Sequence, residues 1–338
     1  MLKMDIYNLL LGIAIGDAYG AGLEFQDREW IQKNVDFSKF INVRDKIKVS
    51  PEKLHLFTDN YHEWQYTDDT EMTIGLIKAL LSKKEFNEDL LIEKWSEEYE
   101  KGQLEKGYGR NGHGSMSWYY SGKMNIEDIR SFQKNRTNPG NAPAMRSVPL
   151  GLINPDLINQ YSAINANATH PNINAIISSQ CIARATEYLV VLKGDKNNVI
   201  NYCFEKVNLN EEYQNYLKLV DQVDSYEMLT EKDYTTLCGV QPIESPYFLA
   251  GIKGMPSDSK YTTGCVLYIL KHSTTAFDAL KKSILIGGDV DSIASITTGI
   301  KAATQGLNSI PTYMIENVEG KKYIKEISTL FSQYIYTS

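Results

Sequence analysis

The sequence Tyr-Thr-Asp-Asp-Thr-Glu at residues 66–71 decides the fold prediction, because it brings three carboxylates together within four residues. Apolar side chains follow it at helical spacing, which predicts a helix from 69 to 82. Thr67 is the expected N-cap of this helix, with Asp68 and Asp69 in its first turn. The acidic turn has two interpretations: it complements the helix dipole, or it binds a cation.

A second acidic motif, Gly-Gly-Asp-Val-Asp-Ser at residues 287–292, strengthens the cation hypothesis. It also precedes a predicted helix, from 292 to 305. Each motif offers two aspartates and a hydroxyl, and neither offers a thiolate or an imidazole. Such hard oxygen ligands suit Mg²⁺, Mn²⁺ or Ca²⁺ rather than zinc. The six candidate metal ligands are Thr67, Asp68, Asp69, Asp289, Asp291 and Ser292.

Composition describes an acidic globular protein. The 338 residues include 42% hydrophobic ones, which is ample for a large buried core. The net charge is -7 and the isoelectric point is near 5.4. Bulk electrostatics therefore argue against a nucleic-acid partner or an anionic membrane partner, although a local basic pocket stays compatible with this charge.

The cysteines and the N-terminus predict a cytoplasmic protein. The cysteines are far apart and form no CxxC unit, which is typical of free or buried thiols in a reducing compartment. Residues 1–3 lack the sequence of a signal peptide, and the apolar run at 9–15 is too short to span a bilayer. The four cysteines are Cys181, Cys203, Cys238 and Cys265.

A glycine stripe marks the first predicted helical segment, residues 5 to 25. Gly12, Gly16 and Gly20 are four residues apart and share one face. Each glycine costs about 1 kcal/mol relative to alanine in a helix, so a close helix contact or ligand approach should compensate. Glu24 follows the stripe at the helix end. It is a candidate site residue, and the alternative is an ordinary surface glutamate.

Two segments have weak periodicity. Residues 26–62 are polar and mixed in charge, which predicts an irregular excursion that could act as a lid. Residues 107–112 match GxGxxG, but a helix predicted at 86–101 precedes them where the dinucleotide fingerprint requires a strand. This loop is either a surface turn or a phosphate-binding loop. Its candidate ligand-binding residues are Gly107, Gly109, Asn111, Gly112, Gly114 and Ser115.

The rest of the chain predicts an all-α fold. Asn141 lies in a turn-rich loop, and His170 precedes a predicted helix; a lone histidine is more often structural than catalytic. No stretch alternates with period two over a convincing length, and no linker divides residues 1–338, so we expect one compact helical domain. Residues 205–236 have helical periodicity, and further helices are predicted at 174–191, 262–271, 274–284 and 320–335.

These motifs together resemble the ADP-ribosylglycohydrolase family, which includes dinitrogenase reductase-activating glycohydrolase. The resemblance runs from about residue 5 to residue 311, and the two acidic motifs are its most specific part. Its motifs are Gly16-Asp17-Ala18-x-Gly20 with Glu24, the 66–70 motif, Ala144-Met145-Arg146, Thr169-His170-Pro171 and the 287–292 motif. The resemblance implies an orthogonal all-α fold with two Mg²⁺ or Mn²⁺ ions.

The resemblance also implies roles for individual residues. The six candidate ligands above would hold the two ions, and Glu24 would be a mobile carboxylate near the scissile bond. The loop from Gly107 to Ser115, with Asn141 and His170, would line an ADP-ribose cleft. The ribosyl C1″ bond develops oxocarbenium character as it breaks, and a carboxylate must move protons. The carboxylate that assists is Glu24 or one of the aspartates, Asp69 or Asp289, and the sequence leaves these alternatives open.

The sequence departs from the family pattern at two places. Val290 stands where the family usually has a threonine, and we expect this side chain to face away from the metal. Ala142-Pro143 interrupts the loop that leads to Arg146, and stiffens it beside the acceptor. The second departure bears on acceptor specificity.

The leading functional hypothesis is metal-dependent hydrolysis of ADP-ribosyl-arginine on a protein, releasing ADP-ribose. One alternative is an O-linked acceptor such as ADP-ribosyl-serine, or an ADP-ribosylated small molecule. The other is a non-catalytic ADP-ribose-binding protein. The complete ligand set argues against that last alternative, because carboxylates without a metal repel one another. We expect a monomer.

Overall fold

The computed structural model describes residues 5–43, 62–106, 116–243 and 251–337, and these are almost entirely helical. The all-α prediction is confirmed, since strand pairing in the described ranges is limited to three isolated bridges. The helices are α1 (Ile6–Ala21), α2 (Arg28–Asn34), α3 (Asp68–Leu81), α4 (Glu88–Lys106), α5 (Met116–Tyr120), α6 (Ile126–Lys134), α7 (Ala142–Met145), α8 (Ile158–Asn167), α9 (Ile173–Thr186), α10 (Val199–Lys206), α11 (Glu211–Asp221), α12 (Glu231–Cys238), α13 (Ser259–His272), α14 (Ala276–Ile284), α15 (Val290–Gln305), α16 (Thr312–Asn317) and α17 (Lys321–Thr337).

Helices α1 and α15 form the central pair of the fold. The predicted glycine stripe is the surface through which α1 contacts α15. A Cβ atom at Gly16 would lie 2.2 Å from the Ala294 carbonyl oxygen, and one at Gly12 would lie 2.7 Å from the Ala302 Cβ. Gly299 makes the matching contact from α15, against Ile13. The glycines therefore allow close contact between the backbones of α1 and α15, because no side chain separates the two helices at these positions.

Other helices cover this pair and complete the core. Helix α17 packs against α1 and α3, while α14 packs against α15. Helix α4 packs against α3, where the Trp95 indole Nε1 donates to the Met72 carbonyl at 2.9 Å. Buried apolar side chains from Ile6 to Phe331 belong to one hydrophobic cluster. The acidic ends of α3 and α15 are thereby fixed on a rigid core.

Most predicted helices are present, with boundaries shifted by a few residues. The prediction of a fully irregular 26–62 segment was wrong for its first part, because residues 28–34 form α2. Asp27 caps this helix, accepting from the Glu29 and Trp30 amides. A helix of two turns is too short to give a clear apolar period. Residues 44–61, which make up much of the predicted lid, lie outside the described residues.

Two further boundaries differ from the sequence prediction. The helix predicted to reach 191 ends as an α-helix at Thr186 and continues as one wider π-type turn, Glu187–Val191. The periodic stretch 205–236 contains α11 and most of α12, joined by a single-turn 3₁₀ helix at Tyr226–Met228.

The cysteines are buried free thiols, as the sequence indicated. Two of them are in contact, because the Cys203 thiol donates a hydrogen bond to the Cys181 carbonyl at 3.5 Å. Among the described helices, none combines the length and the apolar character needed to cross a membrane.

The tight α1–α15 contact gives the first prediction, on Gly16→Ala. The new methyl group would collide with the Ala294 carbonyl, which is backbone and cannot rotate away. We expect the free energy of unfolding to fall by about 1 to 3 kcal/mol, the usual cost of overpacking. Urea denaturation measures this change in the free energy of unfolding. Gln305→Ala, at an exposed position of α15, is the control and should change stability by no more than about 0.5 kcal/mol. Equal stability of wild type and Gly16→Ala would contradict the contact.

Candidate metal centre and active site

Helix α3 begins at the first acidic motif, with Thr67 at the predicted N-cap position. The Thr67 side chain, however, does not cap its own helix. Its hydroxyl donates to Asp17 Oδ1 on α1 at 2.8 Å, and its amide donates to the same carboxylate at 3.0 Å. Because the hydroxyl proton is used by Asp17, the lone pairs of Thr67 Oγ1 remain available for another partner.

Asp17 takes over the capping of α3 from outside the helix. Its side chain is fully buried and also accepts from Thr70, whose amide lies at 3.0 Å and whose hydroxyl lies at 2.6 Å from Oδ2. The carboxylate therefore satisfies the first-turn N–H groups that a helix leaves unpaired. In the sequence, Asp17 was recognised only as part of a motif, and its capping of α3 was not predicted. The separation of 50 residues from Thr67 gives no local signal for it.

The second acidic motif is held in a backbone clamp. Gly287 and Gly288 both have positive φ angles, 75° and 76°, which a side chain would strain. The Gly288 amide donates to the Gln26 carbonyl at 2.9 Å, and the Phe25 amide donates back to the Gly288 carbonyl at 2.7 Å. On the other side, the Asp289 amide donates to the Met255 carbonyl at 2.8 Å. This clamp fixes Asp289 beside the segment that carries Glu24.

The two motifs meet at the ends of α3 and α15. One carboxylate oxygen from each of Glu24, Asp289 and Asp291 lies within 4.8 Å of the others, a spacing that could hold a metal ion. Asp69 joins them from α3, because the Ser292 hydroxyl donates to its Oδ2 at 3.5 Å. The glycine at position 20 makes this meeting possible, since a Cβ there would lie 2.5 Å from the Asp291 Cα.

Burial and like-charge repulsion act together on the carboxylates of this cluster. Burial raises the pKa of Asp69 well above its usual value, and the neighbouring charges of Asp17, Asp68 and Asp289 raise it further. Burial also raises the pKa of Asp291, with added repulsion from Glu24, Asp289 and Asp69. Within the described part of the chain, the buried Asp69 Oδ1 has no hydrogen-bond partner. An oxygen that is buried and unpaired fits a metal ligand.

Glu24, Asp289 and Asp291 lie together, and Ser292 contacts Asp69. Asp68 is within range of the Asp69 charge, and Thr67 contacts Asp17. Thr67 and Asp68 are half-buried at the start of α3, while Asp69, Asp289, Asp291 and Ser292 are buried. The number and identity of the ions stay predictions. Val290 is completely buried and belongs to the hydrophobic core, while the direction of its side chain relative to a metal stays a prediction.

Asn141 faces the acidic cluster. Its amide nitrogen donates to Asp289 Oδ2 at 3.0 Å and to the Thr262 hydroxyl at 3.2 Å. Asn141 therefore positions a candidate metal ligand, a role that the sequence did not indicate. Pro143 lies in the first turn of α7, two residues after Asn141, and its carbonyl accepts from the Asn165 side chain at 2.9 Å. The loop that departs from the family pattern is fixed to the core.

The remaining predicted cleft residues divide into two groups. His170 is buried next to the same loop, where its Nε2 would lie 3.0 Å from a Cβ placed on Gly140. The candidate phosphate-binding residues Gly107, Gly109, Asn111, Gly112, Gly114 and Ser115 lie outside the described residues.

Comparisons with known proteins agree with the motifs. The sequence profile of the ADP-ribosylglycohydrolase family matches residues 3–337. The chain is 22% identical to ADP-ribosylhydrolase ARH3 of Homo sapiens, over 92% of this chain and 88% of that protein. It is 26% identical to an uncharacterized protein of Archaeoglobus fulgidus, over 95% of this chain and 94% of that one. A solved structure titled as an ADP-ribosylglycohydrolase-related protein complex shares the fold, with a TM-score of 0.65, 17% identity and 98% coverage of both chains.

The raised pKa values predict how the stability of the metal-free protein depends on pH. Burial raises the pKa of Asp17 from 3.8 to about 7, so between these values the folded state binds more protons than the unfolded state. Stability must then fall as pH rises through this window, and Asp69 and Asp291 add to the fall. We expect the melting temperature in chelator to decrease from pH 5 to pH 8, and Mg²⁺ to reduce the decrease. A melting temperature in chelator that rises over this range would contradict the assignment.

Asp17→Asn tests whether this buried carboxylate supports the metal site. The amide keeps the size of the side chain, but its NH₂ group would face donors on Thr67 and Thr70. Loss of a supporting residue typically weakens metal binding by about 10- to 100-fold, which calorimetric titration with Mn²⁺ would measure. The control is Asp233→Asn, which removes a similar carboxylate that accepts from the Thr230 amide and hydroxyl at the start of α12. Affinity within about threefold of wild type in Asp17→Asn would count against the support role.

Proposed function

Because the chain belongs to the ADP-ribosylglycohydrolase family, its reaction is hydrolysis of an ADP-ribosyl bond, and we propose that it is a metal-dependent enzyme that releases ADP-ribose from arginine side chains. The observation that carries this proposal is the buried cluster of Glu24, Asp69, Asp289 and Asp291, with its unpaired oxygen and raised pKa values. A binding protein without catalysis would have no use for such a costly arrangement.

The proposed metal dependence rests on the donor set. Thr67, Asp68, Asp69, Asp289, Asp291 and Ser292 would hold two Mg²⁺ or Mn²⁺ ions through hard oxygen atoms. Such ions can orient substrate hydroxyls and lower the pKa of a water molecule. Asp17 and Asn141 keep these ligands in place from the protein side, since Asp17 contacts Thr67 and Asn141 contacts Asp289.

Glu24 is the proposed proton carrier. It is only half-buried, whereas Asp69, Asp289 and Asp291 are buried, so it has access to both water and substrate. A carboxylate there can take a proton from the attacking water or return one to the departing side chain. The backbone clamp fixes the residue that follows Glu24, because the Phe25 amide is hydrogen-bonded to the Gly288 carbonyl. Its oxygen also lies close enough to Asp289 and Asp291 to share a cation. Asp69 and Asp289 are the alternative carboxylates that could transfer this proton.

Charge balance supports arginine as the acceptor. Five carboxylates face the cluster: those of Glu24, Asp68, Asp69, Asp289 and Asp291. Asp17 is a sixth carboxylate within range of Asp69, and two divalent ions carry four positive charges against the six negative charges of these groups when ionised. A guanidinium beside the scissile bond is cationic and complements this charge, whereas a serine acceptor is neutral. The O-linked acceptor is therefore the comparison substrate.

The experiment that tests this function compares substrates and metals directly. Wild-type protein, freed of metal and then supplied with Mg²⁺, should release ADP-ribose from ADP-ribosyl-arginine faster than from ADP-ribosyl-serine. Asp291→Ala removes a ligand, and should abolish release and weaken calorimetric Mg²⁺ binding while the helical circular dichroism stays unchanged. Faster release from the serine substrate would overturn the acceptor proposal. Equal activity in chelator and in Mg²⁺ would overturn metal dependence.

Glu24→Gln separates proton transfer from metal binding. The substitution keeps the shape of the side chain and removes its charge. If Glu24 carries protons, kcat should fall about 100-fold or more, the usual size of an acid–base contribution, with Mn²⁺ affinity nearly unchanged. Single-turnover assays at saturating Mg²⁺ and a parallel Mn²⁺ titration measure the two effects. A matching loss of affinity would make Glu24 a metal ligand instead, and full activity would remove it from the site.

A further inference from the structure

We infer that Arg146 and Thr169 hold His170 in one neutral form, with the proton on Nε2, so that this histidine presents a hydrogen-bond donor toward the Gly140–Asn141 loop. The catalytic residues above leave this buried trio unused. Its chemistry can be worked out from the direction of each hydrogen bond, beginning at the arginine, because a guanidinium has donors and no acceptor.

Arg146 is completely buried and cannot change its orientation easily. Its guanidinium stacks on the Trp95 ring, 3.8 Å from the ring centroid, and its Nε donates to the Asn165 side chain at 2.7 Å. The Nη2 atom donates to the Asn165 carbonyl at 2.9 Å and to the Thr169 hydroxyl at 2.8 Å. Thr169 Oγ1 must therefore accept in the bond with Arg146.

The acceptor for the Thr169 hydroxyl proton is then His170. Thr169 Oγ1 lies 2.8 Å from His170 Nδ1, and no other acceptor for this hydroxyl occurs among the residues that the structure describes. The hydroxyl donates its single proton to Nδ1, and Nδ1 must be unprotonated to accept it. A neutral imidazole with a bare Nδ1 carries its proton on Nε2.

The charged form of His170 is disfavoured by its surroundings. Burial lowers its pKa well below the usual value, and the positive charges of Arg146 and Arg136 lower it further. A protonated ring would also direct an N–H group at Thr169, and the threonine proton would lose its acceptor. The hydrogen-bond geometry and the local charge thus agree on the same neutral form.

The Nε2–H group faces the loop that reaches the acidic cluster. Nε2 lies beside Gly140, and the next residue, Asn141, donates to Asp289. A donor placed there recognises an oxygen acceptor, such as a hydroxyl or phosphate oxygen of a bound sugar nucleotide. This ligand assignment rests on the proposed function, whereas the protonation of His170 rests on Arg146 and Thr169 alone. Arg146 and Thr169 are positioning residues that act through His170.

Nitrogen NMR of the imidazole rings tests the protonation without any substitution. Two-bond ¹H–¹⁵N correlation of uniformly labelled protein at pH 7.5 distinguishes the two neutral forms and the charged form. The chain has five histidines, and His170→Asn assigns the signal by its loss. We expect protonated Nε2 and bare Nδ1 at His170. A proton on Nδ1, or on both nitrogens, would overturn the inference.

Two substitutions at Thr169 test the positioning role. Thr169→Val removes the donor to Nδ1 and should give a mixture of the two neutral forms, while Thr169→Ser keeps the hydroxyl and should preserve the Nε2–H form. His272, with no Thr169 contact, is the internal control and should keep its signals. An unchanged His170 ring in Thr169→Val would show that Thr169 only fills space. If that variant fails to fold, the wild-type spectrum still decides the protonation.

Calorimetry with ADP-ribose tests the ligand part separately. We expect Thr169→Val to bind ADP-ribose about 10-fold more weakly than wild type, as loss of one well-placed hydrogen bond implies, and Thr169→Ser to stay within about threefold. Equal binding by Thr169→Val and wild type would reject the donor contact but not the protonation. If wild type binds no ADP-ribose, the proposed function fails, and the NMR result stands by itself.

Discussion

The burial of like-charged carboxylates at the junction of α1, α3 and α15 is the constraint on which the rest of the structure depends. Asp17, Asp69 and Asp291 are buried within range of each other's charge, and burial alone makes their ionised forms costly. The fold places them there through backbone features. The glycines of α1 allow contact with α15, and Asp17 fixes the start of α3. These buried like charges lower the stability of the fold, and a divalent cation bound among them would offset their repulsion.

Support for the site comes from both sides of the acidic cluster. On one side, two left-handed glycines place Asp289 between the Gln26 and Met255 segments. On the other side, Asn141 holds Asp289 through its amide, and the adjoining loop is fixed by Arg146 and Asn165. The candidate metal ligands are therefore held by buried hydrogen bonds, which is how ligand geometry is usually maintained. Arg146 also donates to the Thr169 hydroxyl, which lies 2.8 Å from His170 Nδ1.

The sequence was sufficient to predict the elements whose signals are local. Glycines four residues apart indicated a close helix contact, which α15 supplies. Two acidic motifs at helix starts indicated the candidate ligand set, which stays a prediction. Contacts between distant segments could not be predicted. Thr67 has the pattern of a residue that caps its own helix, yet its hydroxyl bonds to Asp17 on another helix. Asn141 resembled a cleft residue, and its contact with Asp289 spans 148 positions. Such pairs depend on how helices pack, which periodicity does not encode.

Anomalous diffraction from crystals grown with Mn²⁺ is the most direct test of the central claim, that this buried cluster is a divalent metal site. We expect anomalous peaks among the carboxylates of Asp68, Asp69, Asp289 and Asp291, with ligand oxygens at about 2.0 to 2.6 Å. The Asp69 Oδ1 atom, unpaired in the described structure, should be one of these ligands. Carboxylates in the same positions with no anomalous peak between them, at saturating Mn²⁺, would contradict it.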